Sequence, residues 1–208
     1  MRAIPREVNL IIPAPIVPRG EGTHVSAIIR AIAISTGVLK AEGGDEPSMA
    51  DKREITDPVA ILRICLGLAW EEYYLGMFLK DKVMKHPAER CVDGIHMSPD
   101  GISREWVEHA NRPHPGVMIT FVHEVKATYK SINTVGDLSK EWLWLTQVKA
   151  YCKGMKTTHA KLHVLFICGD YKMPIRPMIK EWTLEFTQRE IDENWSMLKE
   201  YRDYREGD

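Results

Sequence analysis

Glu124 and Lys126 lie two residues apart in Gly116–Ser131, a stretch that is apolar and β-branched from Val117 to Val122. This composition after a glycine predicts a β-strand. Side chains two apart on a strand share one face, so the carboxylate and the ammonium should lie side by side, with Val125 turned into the core. Such a pair can hold a hard divalent cation and polarise a water for phosphodiester cleavage. The alternative interpretation is that Glu124 and Lys126 form an ordinary ion pair on a solvated strand face.

Carboxylates upstream of this strand are further candidates for a metal site. Glu71 and Glu72 follow Trp70 in a segment with helical apolar spacing. Both can be solvated helix residues, or one of them can be aimed at the open end of a sheet as a ligand. Asp100 lies within Ser98–Gly101, where a turn meets a strand. Pro-Asp-Gly is also a favoured turn tripeptide without any further role.

Polar residues downstream of the strand fall on a predicted helix. Gln147 and Tyr151 are four residues apart and therefore share a face within mutual reach. Lys149, Lys153 and Lys156 continue the same helix as a basic flank. The alternative interpretation is that Tyr151 is a half-buried core residue and that the lysines are a solvated surface.

The elements that must position these residues alternate between helix and strand. The patterns predict a helix from Thr23 to near Gly37, a helix from Asp57-Pro58 to Phe78 that is stopped by Pro87, a hairpin in Cys91–Ser103, a helix from Asp137 or Ser139 to about Lys156, strands at Lys161–Cys168 and Arg176–Phe186, and a helix over Arg189–Tyr204. Residues 104–115, which carry His109 and His114, are expected to be a polar loop, and residues 41–56 a linker.

Composition limits the classes of function. The 208 residues are 44% apolar and 27% charged with a net charge of −1, so a nucleic-acid site must be a local groove partly neutralised by metal. The four cysteines are scattered without a C-x-x-C pair, so neither a zinc site nor a secreted disulfide framework is indicated. No apolar run approaches the roughly 18 residues of a membrane span. We therefore expect an intracellular, cytoplasmic protein, in the host cytoplasm if it is viral, without membrane association.

The candidate motifs follow one another in a particular order. They are Gly67-x-x-x-Glu71 on a helix, Pro99-Asp100 after a hairpin, Glu124-x-Lys126 on a strand, Gln147-x-x-x-Tyr151 on a helix, and then a buried strand. This order resembles the RecB-like branch of the PD-(D/E)xK nuclease superfamily, which includes phage-type exonucleases such as lambda exonuclease and the Cas4-like nucleases. The segment Ser98–Gly101 is also similar to the lambda-exonuclease type. The resemblance covers about residues 58–190.

The resemblance implies an α/β fold with a restriction-endonuclease-like core, in which a central mixed sheet is flanked by helices. It also implies DNA hydrolysis with Mg²⁺ or Mn²⁺. Asp100 and Glu124 would be catalytic metal ligands, joined by the backbone carbonyl of Val125 and by Glu71, and Lys126 would position and activate the attacking water. The resemblance further implies that the scissile strand is oriented near this site by Gln147 and Tyr151. From the basic flank of the same helix, Lys149 and Lys153 are expected to contact the DNA as well.

Two departures from the family pattern shape the expected domain organisation. The gap between Asp100 and Glu124 is long, so residues 104–115 are expected to loop out over the DNA. The cysteines beyond Cys168 that a Cas4-like iron–sulfur cluster would need are missing, so no cluster is expected. Residues 57–208 are predicted to form the nuclease domain. Residues 1–56, an arm with a helix and a linker, would pack beside the cleft or mediate oligomerisation.

Four functional hypotheses are compatible with these residues. The favoured one is a phage- or viral-type exonuclease of recombination, repair or replication, acting on DNA as a homo-oligomer or with a recombination partner. A restriction-type or structure-specific endonuclease would use the same residues. A non-catalytic DNA-binding accessory protein would have no physical reason to keep Asp100, Glu124 and Lys126 together. A plain α/β protein with a surface ion pair would bind no divalent metal.

Overall fold

A five-stranded mixed β-sheet forms the centre of the computed structural model, which describes residues 22–39, 58–108 and 116–206. The strands of this part of the chain are β1 Thr23–His24, β2 Met84–Lys85, β3 Arg90–Val92, β4 Ile95–Met97, β5 Gly101–Val107, β6 Val117–Thr128, β7 His159–Phe166 and β8 Met178–Glu185. The α-helices are α1 Val25–Ser35, α2 Pro58–Tyr73, α3 Trp142–Met155 and α4 Gln188–Glu206. None of these helices is both long and apolar enough to cross a membrane.

The sheet order is β2-β5-β6-β7-β8, with β6 in the middle. Strands β5 and β6 are antiparallel, β6 and β7 are parallel, and β7 and β8 are antiparallel. A crossover through α3 makes the parallel connection, as parallel strands require. A smaller three-stranded sheet has the order β1-β4-β3. The predicted mixed α/β architecture with a central sheet is therefore confirmed.

Helices cover both faces of the sheet, and the strand sequences explain why. One face carries Val122 and Ala160 into a core shared by α1, α3 and α4. The other face carries Val125, which packs against Tyr74 and Leu75 at the end of α2. Its nearly continuous apolar run predicts that β7 is buried on both faces, and this is only partly correct: one face is fully buried, and the other is buried at His163 and half-buried elsewhere. Because α1 shares the core of α3 and α4, this helix of the predicted N-terminal segment contacts the rest of the fold directly.

The helix boundaries agree with the sequence patterns in most places. Helix α2 continues as a π-helical turn over Tyr74–Phe78, so helical structure ends where its apolar pattern ends, and β2 follows before Pro87. Asp137 caps a 3₁₀ turn, accepting from the Ser139 amide at 3.0 Å, and α3 begins only after this turn. The predicted cap Asp57, the predicted linker 41–56 and almost all of the predicted arm lie outside the described residues.

The predicted loop over residues 104–115 is wrong in its first part. Residues 104–107 belong to β5, which pairs with β6 from Gly101 opposite His123 to Val107 opposite Val117. The sequence of this segment is polar because its side chains are partly exposed at the sheet, and its pairing partner β6 lies further along the chain. His109, His114 and the rest of the predicted insertion lie outside the described residues.

Candidate active site

A notch in the sheet results from the late start of β5. This strand begins at Gly101 opposite His123, so the following residues of β6 have a strand neighbour only on the β7 side. Asp100 fills part of the gap, because its Oδ2 accepts a hydrogen bond from the Val125 amide at 2.7 Å. The N–H and C=O of a strand residue point to the same edge, so the Val125 carbonyl also faces the notch.

Glu124 and Lys126 meet on the opposite face of β6 from Val125. The Lys126 ammonium contacts Glu124 Oε1 and donates a hydrogen bond to Gln147 Oε1 at 2.9 Å. Glu124 is only 1% exposed, and its second oxygen, Oε2, is buried without a hydrogen-bond partner. A buried carboxylate oxygen without a partner is costly for folding, which makes this atom a candidate ligand.

The structure separates the two neighbouring glutamates of α2. The Glu71 side chain is 17% exposed and lies close enough to Glu124 for the two carboxylates to repel each other. The Glu72 side chain is 57% exposed and pairs with Lys85 at 2.9 Å and with His86. Glu71 therefore belongs to the carboxylate group at the notch, and Glu72 faces solvent.

The charges in the notch shift one another's pKa values. Burial raises the pKa of Asp100 well above its usual range, and the carboxylates of Glu124 and Glu71 raise it further. Burial followed by the Glu124 charge also raises the pKa of Glu71. For Lys126, burial alone would lower the pKa, but Glu124 and Asp100 outweigh it and the pKa is raised. Three carboxylates thus lie around one half-buried ammonium, and additional positive charge would stabilise them.

The donor atoms at the notch fit a hard divalent cation. They are all oxygens, from Asp100, Glu124, Glu71 and the Val125 carbonyl, which is the ligand set of Mg²⁺ or Mn²⁺ and not of zinc. The buried Glu124 Oε2 supplies a ligand position without breaking any existing hydrogen bond. Within the described ranges, no three His, Cys, Asp or Glu side chains are already gathered to hold a metal. Backbone and water oxygens would have to complete the coordination.

The residues predicted on α3 divide into two groups. Gln147 lies beside the site and links Lys126 to Tyr151, because its Nε2 donates to the Tyr151 hydroxyl at 2.7 Å. Tyr151 is only 5% exposed and packs in the core. Lys149 and Lys153 are directed at α4, where they lie 3.9 Å from Glu190 and 2.7 Å from Asp192. The structure does not bring these two lysines to the carboxylates.

A buried polar chain on the α2 face of the sheet was not predicted. His123 Nδ1 and His163 Nε2 are 2.9 Å apart, and both rings are almost completely buried. His123 Nε2 lies 2.8 Å from Ser103 Oγ, whose hydroxyl donates to Glu105. His163 Nδ1 lies 3.2 Å from the Tyr74 hydroxyl.

The sequence did contain a signal for this chain. His123 and His163 each alternate with apolar residues inside a predicted strand, a position where a histidine needs a buried partner. Burial lowers the pKa of His123 to about 4 and that of His163 to about 3, so both rings are neutral.

Similarity to known proteins is limited to three-dimensional shape. No protein-family model matches the sequence, and no curated protein sequence matches it. The structure of LHK-Exo in complex with dAMP has a TM-score of 0.50 at 11% identity, covering 89% of this chain and 88% of that chain. LHK-Exo is an alkaline exonuclease from Laribacter hongkongensis. A phage-related exonuclease from Haemophilus somnus 129PT has a TM-score of 0.47 at 12% identity, covering 88% of this chain and 82% of that chain. The likeness to LHK-Exo shows that this chain shares the fold of a nuclease.

Proposed function

We propose that the chain is a Mg²⁺- or Mn²⁺-dependent DNA nuclease with a PD-(D/E)xK site of the RecB-like type. The observation that carries the proposal is the partnerless, buried oxygen of Glu124, which lies beside Lys126 and near two further carboxylates. One buried and two half-buried carboxylates around a single ammonium leave an excess of negative charge, which a bound cation would offset. The shared fold of LHK-Exo supports this assignment.

In this proposal Asp100, Glu124, Glu71 and the Val125 carbonyl hold the cation. When bound, the cation supplies positive charge that offsets the negative charge developing on a phosphodiester during hydrolysis. The Val125 amide fixes the Asp100 carboxylate by its 2.7 Å hydrogen bond, so the ligand is oriented before the cation arrives.

Lys126 acts in this proposal as a hydrogen-bond donor to the attacking water or to the phosphate. Its raised pKa keeps Nζ protonated, and the hydrogen bond to Gln147 Oε1 holds the ammonium in place. Gln147 is in turn oriented by Tyr151, which is buried. Gln147 and Tyr151 thus position Lys126. This role is additional to the orientation of the scissile strand that the family resemblance implies for them. Donors fixed in this way favour the transition state because they need no reorganisation during the reaction.

Exonuclease action is the favoured form of this activity. The motif order resembles the phage-type exonucleases, and LHK-Exo is itself an exonuclease. Restriction-type or structure-specific cleavage would use the same residues. A homo-oligomer or a recombination partner remains a prediction.

Digestion of linear and covalently closed circular DNA, each single- and double-stranded, tests the proposal. We expect loss of linear DNA with Mg²⁺ or Mn²⁺, no loss with EDTA, and a rate about a hundredfold or more lower for Lys126→Ala. Lys199→Ala is the matched control, because this lysine lies on α4, outside the notch, and pairs there with Asp93. Cleavage of circles would show an endonuclease. Metal-independent cleavage, or full activity of Lys126→Ala, would contradict the proposed site.

A further inference from the structure

Two loops meet at the end of the sheet where β6 and β7 finish. One follows β6 and the other connects β7 to β8. The Ile132 amide donates to the Gly169 carbonyl at 2.9 Å, and the Tyr171 hydroxyl donates to the Tyr129 carbonyl. We call the surface formed by Arg63, Tyr129 and the exposed residues 171–176 the end surface.

The end surface exposes aromatic and apolar side chains to solvent. Tyr129 is 41% exposed, Tyr171 54%, Met173 83% and Ile175 49%. The Arg63 guanidinium of α2 lies over the Tyr129 ring, with its carbon 6.0 Å from the ring centroid. Exposed rings flanked by cations are platforms on which nucleic-acid bases stack.

The end surface also carries positive charge. Arg63 and Arg176 take part in none of the ion pairs found among the described residues, whereas the nearby lysines Lys130 and Lys172 pair with Glu141 and Asp170. Lys172 lies 3.6 Å from Asp170, but its side chain is 81% exposed, and such surface pairs are weak. The chain as a whole has a net charge of −1, so the positive charge of the end surface is a local feature and not part of an overall basic character.

The end surface lies close to the proposed active site. Tyr129 follows directly after β6, three residues beyond Lys126 on a continuous strand. At about 3.3 Å per residue, the two backbones are roughly 10 Å apart. A single strand bound at the end surface would therefore need only a few nucleotides to reach the notch.

We propose that the end surface binds single-stranded DNA and guides it to the carboxylate notch. This inference rests on the proposed nuclease function. Tyr129 and Tyr171 would each stack a base, and Arg63 and Arg176 would contact phosphates. Single-stranded DNA fits better than a duplex because an unpaired base presents the face that a tyrosine ring can cover.

Binding without cleavage tests this inference. Fluorescence anisotropy of a labelled oligothymidine in EDTA would be measured for wild type, Tyr171→Ala, Tyr171→Phe and Arg176→Gln. We expect Tyr171→Ala to weaken binding about fivefold or more, and Tyr171→Phe to retain most of the affinity because the ring remains. Arg176→Gln should reduce the slope of log K against log salt by about 0.7, the value for one lost phosphate contact on a single strand.

Matched controls are taken from α4, outside the end surface. Tyr204→Ala removes a tyrosine that is 68% exposed, and Arg189→Gln removes an arginine whose side chain is 86% exposed. Both should leave binding unchanged within twofold. Equal losses in the α4 variants and in the end-surface variants, or an equal effect of Tyr171→Ala on duplex binding, would overturn the single-strand assignment.

The two proposals fail in different ways. If wild type hydrolyses DNA but Tyr171→Ala and Arg176→Gln bind the oligothymidine normally, the end surface is not its binding site, while the nuclease function stands. If these variants lose binding in EDTA but wild type hydrolyses nothing, the end surface is a DNA-binding surface and the nuclease function fails. A third outcome is that Tyr171→Ala and Arg176→Gln leave DNA binding unaffected, while the wild-type protein self-associates and Met173→Asp abolishes this self-association. The end surface is then a protein interface, and the inference is wrong.

Discussion

His123 and Glu124 are neighbours on β6 that point to opposite faces of the sheet, and each is only 1% exposed. His123 lies in a chain where every ring nitrogen has a partner: Ser103 on one side and His163 on the other. Glu124 keeps one oxygen without any partner and lies near two further carboxylates. The same strand therefore buries one polar group with both of its polar atoms paired and another with only one of its two oxygens paired.

The difference separates a structural polar group from a candidate functional one. The Ser103 hydroxyl donates to Glu105, so its oxygen can accept from His123 Nε2. His123 Nδ1 can then accept from His163, and His163 Nδ1 from Tyr74, with both rings neutral. A satisfied network stabilises a single packing arrangement. At the notch, Asp100 accepts from the Val125 amide and Glu124 pairs with Lys126, but Glu124 Oε2 has no partner and the carboxylates repel one another.

The comparison predicts that changes on the two faces have opposite consequences. His163→Leu should lower the free energy of unfolding by about 1–3 kcal/mol, because His123 Nδ1 loses its donor. It should leave DNA hydrolysis per folded molecule within about threefold of wild type. Glu124→Gln should lower hydrolysis about 10²–10³-fold and change the free energy of unfolding in EDTA by less than about 1 kcal/mol.

Urea unfolding followed by tryptophan fluorescence and a DNA hydrolysis assay at low temperature measure these effects. Glu124→Gln is itself the control for His163→Leu, since each variant changes one buried polar side chain in the two central strands β6 and β7. A well-folded His163→Leu protein with hundredfold lower activity would show that the histidine chain takes part in the chemistry and that the distinction is wrong.

Metal binding should distinguish the adjacent Glu71 and Glu72. A cation at about 100 times its Kd stabilises the folded protein by about 2.7 kcal/mol. Removal of a ligand that weakens its affinity tenfold reduces this by about 1.4 kcal/mol. We expect this reduction for Glu71→Gln and not for Glu72→Gln, because only Glu71 faces Glu124.

Thermal unfolding across a Mg²⁺ or Mn²⁺ titration, with EDTA as the reference, measures the effect. The two variants are close controls for each other, since they differ by one position on α2. Weaker metal stabilisation in Glu72→Gln alone would exclude Glu71 as the ligand. No metal stabilisation in wild type would argue against a cation at the notch.

Residues whose geometry depends on local periodicity could be predicted from the sequence. The pairing of Glu124 with Lys126 follows from the two-residue period of a strand, and the contact of Gln147 with Tyr151 from the four-residue spacing of a helix. Both contacts are present in the structure. Their catalytic and DNA-binding roles remain predictions.

Features that depend on distant partners could not be predicted in the same way. Lys149 and Lys153 have their carboxylate partners on α4, about forty residues further along the chain. The extent of β5 depends on pairing with β6 across the segment that separates them. The choice between Glu71 and Glu72 depends on which side of α2 meets the sheet, and the only sequence signal for it was the spacing of Glu71 from Gly67 in the family motif.

The histidine chain should also give the stability a characteristic pH dependence. Burial holds the pKa of His163 at about 3 and that of His123 at about 4, below the usual value of about 6.5 in an unfolded chain. As the pH falls through 6.5, these histidines bind protons in the unfolded state but stay neutral in the folded state. The folded state therefore loses stability as the pH falls. Each histidine should contribute a loss of about 0.7 kcal/mol between pH 7 and pH 6.

The difference between wild type and His163→Leu isolates this effect, because Asp100 and Glu71, whose raised pKa values act in the opposite direction, are present in both. We expect wild type to lose about 0.7 kcal/mol more than the variant between pH 7 and pH 6 in urea unfolding. Lys161 and His123 oppose a charge on His163, whereas Glu181 Oε2, 2.9 Å from Nδ1, would favour one. If wild type instead gained stability relative to the variant on acidification, the Glu181 ion pair would outweigh burial and the chain would carry a charge.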